Sequence, residues 1–408
     1  MRLNLDHPTR EINGKLVITG SKSETNRLLI LQALYPQLTI ENRSNSDDAV
    51  AMQNALHNPH SPIDVHHAGT AMRFLTAYFS NTPGEEILLT GSKRMQERPI
   101  GLLVDALETL GACIGYEKNI GYPPLRIKGA PLNGGRVTLP ANISSQYISA
   151  LLLIAPKLAQ GLVLELEGEI TSLPYIKMTL ALLKRLGISS EFTNQTIRVP
   201  YCKEIPSQTQ TVESDWSSAS YWFSVVALSD AGEIHLNNYR KDSLQGDAVL
   251  VDIYQKMGVE SYFEGEALVL KKKTDFIQPQ KLEFNLIEAP DIAQTIAVTC
   301  YGMGIEVSLT GLHTLKIKET DRLLALENEL KKLGASIRVD AKSLSLAKAQ
   351  NFNTGQAIDT YHDHRMAMAF APLALRVPLT INDAGVVSKS YPEFWSDMKS
   401  IGFQLIEK

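Results

Sequence analysis

The segment Gly69-Thr70-Ala71-Met72-Arg73 begins an apolar helix, and openings of the same kind recur along the chain. Successive openings lie 75, 73, 73 and 73 residues apart, at Gly69, Ser144, Ser217, Pro290 and Asp363. A sixth, Gly20-Ser21-Lys22-Ser23, lies nearer the N-terminus. A fixed period of this length indicates that one supersecondary unit is repeated.

Each opening is followed about 30 residues later by a second helical pattern. Five of these second patterns end in glycine, at Gly111, Gly187, Gly258, Gly334 and Gly402. Short β-like runs such as Leu162-Val163-Leu164-Glu165-Leu166 lie between the helices. Each unit therefore reads β-α-β-α-β-β, which predicts an α/β fold with six units distributed over two or three domains.

The first unit is shorter than the others. From Ser21 to Gly69 there are 48 residues, and the helix predicted around Ser46-Asp47-Asp48 lacks the Leu-Gly ending. We therefore expect this unit to lack about one pair of strands.

Composition restricts the class of protein. The chain has 408 residues, 44% hydrophobic and 21% charged, with a net charge of −4, so no global basic field is available to attract nucleic acid. No run of 18 apolar residues predicts a membrane span. The three cysteines are scattered and odd in number, which argues against a disulfide framework and favours the cytoplasm.

Basic residues recur at or just before the predicted helix starts. They are Arg98, Lys318, Arg322, Arg365 and Lys389. A helix N-terminus already favours anions. If the repeats converge, the cations converge as well, and like charges at close range are unfavourable without an anion among them. We therefore expect a ligand that carries phosphate and carboxylate groups.

Gly20-Ser21-Lys22-Ser23 resembles a phosphate-binding P-loop but fails its pattern, because the preceding glycine is Gly14 and Ser21 separates Gly20 from Lys22. A lysine and two hydroxyls at a helix start still suit a phosphate or a carboxylate. The plain alternative is a serine N-cap beside solvated charges.

Asp291 and Glu319 are the candidate proton carriers. Glu319 follows Lys318 and precedes Arg322 by three residues, where a carboxylate can exchange a proton with a bound substrate. The plain alternatives are an exposed first-turn acid for Glu319 and a helix cap for Asp291.

Two histidine groups, His66-His67 and His362-Asp363-His364, raise the question of a metal site. Neither has a third ligand at a recognisable spacing, so we predict no metal. Gly69 is more simply explained as a position where backbone approaches a ligand closely.

Taken in order, the motifs resemble the 5-enolpyruvylshikimate-3-phosphate synthase family over essentially the whole chain. The motifs are GSKSETNR at 20–27, AGTAMR at 68–73, RMQERPIG at 94–101, YPPLRIKG at 122–129, SSQY at 144–147, SLPYI at 172–176, SDWSSASY at 214–221, QGD at 245–247, APD at 289–291, KIKETDRL at 316–323 and DHRMAMA at 363–369.

The resemblance implies two similar domains of three β-α-β-α-β-β repeats each, the inside-out α/β barrel arrangement of enolpyruvyltransferases, with the active site in the cleft between them. The implied boundaries are residues 21–213 for the first domain, on the shikimate 3-phosphate side, and residues 1–20 with 214–408 for the second.

The resemblance also implies the reaction, which is transfer of the enolpyruvyl group of phosphoenolpyruvate to the 5-hydroxyl of shikimate 3-phosphate by addition and elimination, with release of phosphate. This step belongs to aromatic amino-acid biosynthesis through chorismate. It implies a cytoplasmic monomer that acts on two small molecules, without nucleic acid, membrane, metal or cofactor.

The family's site residues transfer by motif. Lys22 is expected to contact both substrates, while Asp291, Glu319 and Lys22 serve catalysis. The residues expected to hold shikimate 3-phosphate are Lys22, Ser23, Arg27, Ser144, Ser145, Gln146, Ser172, Asp291 and Lys318. The residues expected to hold phosphoenolpyruvate are Lys22, Gly69, Arg98, Gln146, Arg322, Arg365 and Lys389. Among them, Arg322 and Arg365 are expected to clamp its carboxylate in bidentate fashion.

Three residues depart from the family pattern. His67 stands where an Asn is usual, Phe74 where a Pro is usual, and Thr314 where an Asn is usual. None of these changes removes a charged residue of the expected site.

Three alternatives can be set against this family. The related UDP-N-acetylglucosamine enolpyruvyltransferase carries a cysteine in the loop before the Arg-Pro helix, and here that loop, residues 92–97, has none. A non-catalytic anion-binding relative would not need both Asp291 and Glu319. A fold-related RNA-phosphate cyclase would need a basic face that this composition lacks.

Overall fold

The computed structural model describes residues 1–84, 86–142, 144–170, 173–349 and 351–408. The chain divides into two compact units. Unit A is the continuous segment Gly20–Val212, and unit B combines Met1–Thr19 with Glu213–Lys408.

The helices of unit A are α1 Lys22–Leu34, α2 Asp47–His57, α3 Gly69–Ser80, α4 Lys93–Gln96, α5 Gly101–Thr109, α6 Ser145–Ile154 and α7 Leu173–Arg185. Those of unit B are α8 Trp216–Leu228, α9 Leu250–Gln255, α10 Ala293–Met303, α11 Arg322–Lys332, α12 His364–Phe370 and α13 Phe394–Ser400. Short 3-10 helices lie at Ala155–Lys157, Gly246–Val249, Pro290–Ile292, His313–Ile317, Ala371–Leu375 and Ala384–Lys389.

The strands of unit A are β3 Leu38–Glu41, β4 Ile63–Asp64, β5 Glu86–Thr90, β6 Cys113–Tyr116, β7 Leu125–Lys128, β8 Gly135–Pro140, β9 Leu162–Glu167, β10 Glu191–Thr193, β11 Thr196–Val199 and β12 Gln208–Thr211. Those of unit B are β1 Leu3–Asp6, β2 Glu11–Leu16, β13 Ala231–Leu236, β14 Val259–Glu264, β15 Ala267–Lys272, β16 Lys281–Asn285, β17 Glu306–Thr310, β18 Ile337–Val339, β19 Leu344–Leu346, β20 Ala357–Ile358, β21 Leu379–Ile381 and β22 Gln404–Glu407.

The strands form sheets that share one pattern. In the order β4-β5-β7-β6, the first pair is parallel and the next two pairs are antiparallel. The same arrangement recurs in β8-β9-β11-β10, β2-β13-β15-β14, β16-β17-β19-β18 and β20-β21-β1-β22. This repetition confirms the predicted α/β repeat.

The first repeat is the exception. Among the described residues its sheet consists of β12 and β3, which pair in parallel from Gln208 beside Leu38 to Thr211 beside Glu41. This is the parallel pair of the common pattern without the antiparallel strands. The prediction that the short repeat lacks a strand pair is confirmed.

The N-terminal segment completes two sheets of unit B. β2 lies parallel to β13, with Glu11 beside Ala231. β1 lies between β21 and β22. Sheet formation therefore explains why Met1–Thr19 belongs to unit B although it is far from Glu213 in sequence.

Glycine ends the second helix of each complete repeat for a conformational reason. Gly111, Gly187, Gly258, Gly334 and Gly402 all have positive φ, between 80° and 105°. A residue without Cβ reaches this region at no steric cost, which makes glycine the usual residue after a helix end.

The core of each unit contains the first helices of the repeats. In unit A, α1, α3 and α6 pack against one another, and in unit B the same holds for α8, α10 and α12. Residues are buried on all sides of α8, from Trp216 to Leu228, with Ser217 alone half-buried. Helices that are apolar all round must lie in the interior. None of the described helices is long and apolar enough to cross a lipid bilayer.

Two predicted helix starts are displaced. α5 begins at Gly101, so Arg98 and Pro99 precede it, and α11 begins at Arg322 with Asp321 as its N-cap. Lys389 ends a 3-10 helix and does not lie at a helix start. Arg98 therefore lies in the connection that precedes α5, and Lys318 lies in the connection that precedes α11, whose first residue is Arg322.

Candidate active site

Helix α1 positions Lys22 in unit A. The Ser21 hydroxyl caps the helix by accepting a hydrogen bond from the Glu24 amide. The Lys22 ammonium lies 3.7 Å from Oδ2 of Asp48, a buried residue in the first turn of α2. This carboxylate holds the lysine at the N-terminus of α1, a role that nothing in the sequence distinguishes from that of Asp47.

Arg27, one turn further along α1, is 3% exposed. Its Nε donates to Thr179 Oγ1 at 2.8 Å, Nη1 donates to the Ser23 carbonyl at 2.8 Å, and Nη2 donates to Ser149 Oγ at 3.0 Å and to the Tyr175 carbonyl at 3.4 Å. Four of the five N–H groups are therefore used within the described chain. The Arg27 guanidinium therefore joins α1, α6 and α7.

Phe74 takes part in the same cluster. The Arg27 Cζ atom lies 5.4 Å from the centroid of the Phe74 ring and 5.8 Å from that of Tyr175. These distances are within the range of a cation–π contact. Burial lowers the pKa of Arg27 to about 10, against the raising influence of Tyr175 and Glu24. Phe74 therefore gives the buried cation an aromatic partner.

The start of α6 presents Ser144, Ser145 and Gln146. The Ser144 hydroxyl caps the helix by accepting from the Gln146 amide, and Gln146 Nε2 donates to Thr70 Oγ1 at 3.3 Å. This bond places Gln146 beside the first turn of α3. Ser172 lies outside the described residues.

Gly69 begins α3 directly beneath the Arg98 guanidinium. A Cβ added at Gly69 would lie 2.5 Å from Arg98 Nη1 and 3.1 Å from Arg98 Cζ. The close approach that the sequence predicts at Gly69 is therefore made by Arg98 in this structure. No side chain larger than hydrogen fits without moving the guanidinium.

Arg73 holds the Arg98 segment in position. It is 3% exposed, and its Nη2 donates to the Pro99 carbonyl at 2.8 Å, while Nη1 contacts Met95 Sδ at 3.1 Å. The Tyr147 hydroxyl donates to the same carbonyl. Burial, and then the neighbouring Arg98, lower the pKa of Arg73 to about 10.

Two neighbouring cations therefore lie at the start of α3. Neither Arg73 nor Arg98 forms an ion pair with a carboxylate in the part of the chain that the structure describes. An anion would relieve their mutual repulsion. Arg73 was accessible to sequence reasoning, because it ends the AGTAMR motif one turn after Gly69.

His66 and His67 do not point to a common ligand. His66 Nδ1 lies 3.7 Å from Asp64, while His67 Nε2 lies 3.9 Å from Asp47. Within the described residues there is no group of three or more His, Cys, Asp or Glu side chains suited to a metal ion. His67 is linked to α2 beside the turn that carries Asp48.

In unit B, Arg322 is the centre of a cluster of carboxylates. Its Nε donates to Asp363 Oδ2 at 2.7 Å, Nη1 to Asp291 Oδ1 at 2.8 Å, and Nη2 to Glu319 Oε2 at 2.7 Å. Burial opposes the charge on Arg322, but the carboxylates of Asp363, Glu319 and Asp291 outweigh it and raise its pKa. The structure thus brings both candidate proton carriers to one guanidinium.

Lys318 and Arg365 lie at the same cluster. Lys318 Nζ is 3.4 Å from Asp291 Oδ1, and Arg365 Nη2 is 3.7 Å from Asp291 Oδ2. Arg365 Nη1 also donates to the Asp291 carbonyl at 3.0 Å. In unit B the protein's own carboxylates therefore pair with these cations, which the sequence pattern alone did not indicate.

Asp363, the first residue of the DHR motif, binds groups of two arginines. Oδ1 caps α12 by accepting from the Arg365 amide at 2.9 Å, and Oδ2 accepts from Arg322. His362 pairs instead with Asp383 at 2.9 Å, and Lys389 donates to the His362 carbonyl at 2.6 Å. Asp363 is therefore a structural anchor for both arginines, which its spacing alone did not reveal.

Comparison with known proteins now adds to this geometry. The family model of EPSP synthase, 3-phosphoshikimate 1-carboxyvinyltransferase, matches residues 54–398. The chain belongs to the EPSP synthase family. It is 45% identical to a 3-phosphoshikimate 1-carboxyvinyltransferase of Bacteroides fragilis, with 99% of this chain and 98% of that relative covered. It is 36% identical to the protein of the same name from Colwellia psychrerythraea, with 97% and 98% covered.

A solved structure agrees with the fold. The EPSP synthase of Acinetobacter baumannii is similar with a TM-score of 0.80 at 20% sequence identity, and the match covers 100% of both chains. At this level of identity the likeness supports the fold alone, and it does so across the whole chain.

Proposed function

We propose that this protein transfers the enolpyruvyl group of phosphoenolpyruvate to the 5-hydroxyl of shikimate 3-phosphate, which gives 5-enolpyruvylshikimate 3-phosphate and phosphate. Membership of the family supports this reaction. The observation that carries the proposal is the bonding of one guanidinium, Arg322, to both candidate proton carriers, Asp291 and Glu319.

Arg322 is suited to the carboxylate of phosphoenolpyruvate. Three of its five N–H groups are used in the bonds described above, which leaves one further N–H on each of Nη1 and Nη2. Two N–H groups are what a bidentate carboxylate requires. With Arg365 as the second member of the clamp, the carboxylate would lie beside the two acids.

Asp291 and Glu319 are assigned the proton transfers of an addition followed by an elimination. Glu319 donates a proton to the vinyl CH₂ carbon, and the 5-hydroxyl oxygen bonds to the neighbouring carbon as its own proton passes to Asp291. The tetrahedral intermediate then breaks its bond to the bridging oxygen of phosphate, and Glu319 removes a proton from the new methyl group to restore the double bond. Groups in this role commonly contribute about 10²–10⁴-fold to rate.

The remaining assignments follow the two clusters of cations. We assign Arg98, the backbone at Gly69 and Lys389 to the phosphate of phosphoenolpyruvate, because Arg98 lacks a carboxylate partner among the described residues. We assign Lys22, Ser23, Ser144, Ser145, Gln146, Ser172 and Lys318 to shikimate 3-phosphate, with Lys22 and Gln146 also contacting phosphoenolpyruvate. Arg27 retains one N–H on Nη1 for a ligand and otherwise supports the helices that carry these residues.

The setting of the reaction is part of the proposal. We propose that the protein acts as a monomer. Both substrates are phosphorylated, and the three cysteines are free thiols, which supports the cytoplasm.

Release of phosphate tests the proposal. The purified protein is expected to release phosphate from phosphoenolpyruvate only when shikimate 3-phosphate is also present. Release with UDP-N-acetylglucosamine as the acceptor would instead favour the related cell-wall enzyme. Tight binding of both substrates without release would indicate a non-catalytic relative.

A further inference from the structure

The QGD motif at 245–247 forms hydrogen bonds with the N-terminal end of helix α8. Gln245 Oε1 accepts a hydrogen bond from the Trp216 amide at 3.0 Å, and Gln245 Nε2 donates to the Ser214 carbonyl at 2.8 Å. Asp247 accepts a short hydrogen bond from the Ser217 hydroxyl. The two side chains on either side of Gly246 thus bind successive groups of the same helix start.

Ser217 connects this motif to the substrate clamp. Arg365 Nη2 donates to Ser217 Oγ at 3.3 Å, while the hydroxyl proton of Ser217 is directed to Asp247. A hydroxyl has one proton, so donating it to Asp247 turns its lone pairs to the arginine. The result is an ordered relay from Arg365 through Ser217 to Asp247.

We propose that Asp247 is a positioning residue for phosphoenolpyruvate binding, because it orients the Ser217 hydroxyl and thereby fixes the Arg365 guanidinium. This inference rests on the proposed function, in which Arg365 clamps the substrate carboxylate. It concerns a residue of the QGD motif to which that function assigns no role.

Burial of the Asp247 carboxylate lowers the stability of the fold, so stability does not explain why an aspartate is present at this position. Its side chain is 6% exposed, and it forms no direct ion pair among the described residues. A buried carboxylate without a paired cation is unfavourable. Four groups from the packed elements face it, namely Arg365 from α12, Asp291 from the 3-10 turn, and Asp215 and Ser217 from the start of α8.

The titration of Asp247 is consistent with this cost. Burial raises its pKa to about 6, the Arg365 charge and the Ser217 bond oppose that rise, and Asp291 and Asp215 add to it. Above this pH the carboxylate accepts the Ser217 proton. Below it, the protonated acid competes as a donor and the relay loses its fixed direction.

Calorimetric titration of each substrate against the full-length protein tests the proposal. In Asp247→Asn and in Ser217→Ala we expect phosphoenolpyruvate to bind about 2–10-fold more weakly, the size of one hydrogen bond. Shikimate 3-phosphate is expected to bind within about 2-fold of wild type. Ser217→Thr keeps the hydroxyl and should restore phosphoenolpyruvate binding. Asp252→Asn, which removes an exposed carboxylate of α9, is the matched control.

Two further affinity measurements distinguish a positioning role of Asp247 from a structural role. The double variant should lose no more affinity than either single variant, because both interrupt one relay. The affinity ratio of wild type to Asp247→Asn should fall towards one below pH 6, whereas a packing defect would leave it constant. Substrate protonation affects both proteins equally and cancels in this ratio.

Unchanged phosphoenolpyruvate affinity in a folded Asp247→Asn protein would overturn the relay. An equal loss for both substrates with a lowered Tm would overturn it as well, since it would indicate a packing role. Binding is measured without turnover, so a wild type that binds phosphoenolpyruvate but releases no phosphate would refute the proposed function and leave the relay testable.

Discussion

Gly69→Ala should separate substrate binding from folding stability. The new Cβ would lie 2.5 Å from Arg98 Nη1, where an ordinary contact requires about 3.5 Å, so the guanidinium must move by roughly 1 Å. The atom in the way is the end of a flexible side chain, so the fold accommodates the change. If Arg98 holds the phosphate of phosphoenolpyruvate, the lost charge-assisted contact costs about 1.5–3 kcal/mol, or about 10–150-fold in affinity.

The same substitution should increase the folding stability of the protein. Gly69 is the first residue of α3 and does not have positive φ, so alanine there restricts the unfolded chain and adds about 0.4–1 kcal/mol of stability. Calorimetric titration with each substrate and a thermal unfolding curve measure the two effects. Gly115→Ala is the matched control, because its methyl would meet Arg126 Cβ at an ordinary 3.9 Å. Native phosphoenolpyruvate affinity in Gly69→Ala would refute the assignment of Arg98.

Three further substitutions test separate parts of the site. Arg98→Ala should weaken phosphoenolpyruvate about 10–150-fold in calorimetry and leave shikimate 3-phosphate nearly unchanged, and equal losses would contradict its assignment. Glu319→Gln keeps the shape of the side chain but cannot carry a proton, so turnover should fall about 10²–10⁴-fold with both substrates still bound, and near-native turnover would make Glu319 a structural residue. Asp247 has a folded pKa of about 6 against an ordinary value of 3.8, so the stability it contributes is present below pH 3.8 and lost as the pH rises through 6. In denaturant unfolding, the free energy of unfolding of Asp247→Asn should therefore rise relative to that of wild type by roughly 1–3 kcal/mol between pH 4 and 8. A constant difference between the two proteins would show that Asp247 does not titrate in this range.

The repeat was predictable because its signals are local. The interval of about 73 residues can be read directly from the chain, the glycines at Gly111 and Gly334 follow from helix geometry, and the missing strands follow from the short first interval. The order of strands in each sheet was not predictable in the same way. β1 lies between two strands that follow it by more than 370 residues, and only tertiary packing decides such a pairing.

The members of the Arg322 cluster could be chosen from the sequence, but their contacts could not. Arg322, Asp291 and Glu319 could be selected from their motifs. Their mutual hydrogen bonds could not, since the repeated cations suggested an external anion and gave no sign that carboxylates of the chain also pair with them. The contacts of Arg27 could not be predicted for a related reason, because its polar partners come from α6 and α7, over 120 residues away.

The central claim is that this protein breaks the carbon–oxygen bond of phosphoenolpyruvate and transfers the carbon fragment. Phosphoenolpyruvate labelled with ¹⁸O at the bridging oxygen tests it directly, when incubated with shikimate 3-phosphate and the enzyme and analysed by mass spectrometry. We expect the label to leave in the phosphate, and the second product to be shikimate 3-phosphate enlarged by one enolpyruvyl group. Label retained in pyruvate, with no enlarged product, would show cleavage of the phosphorus–oxygen bond and refute transfer of the carbon fragment.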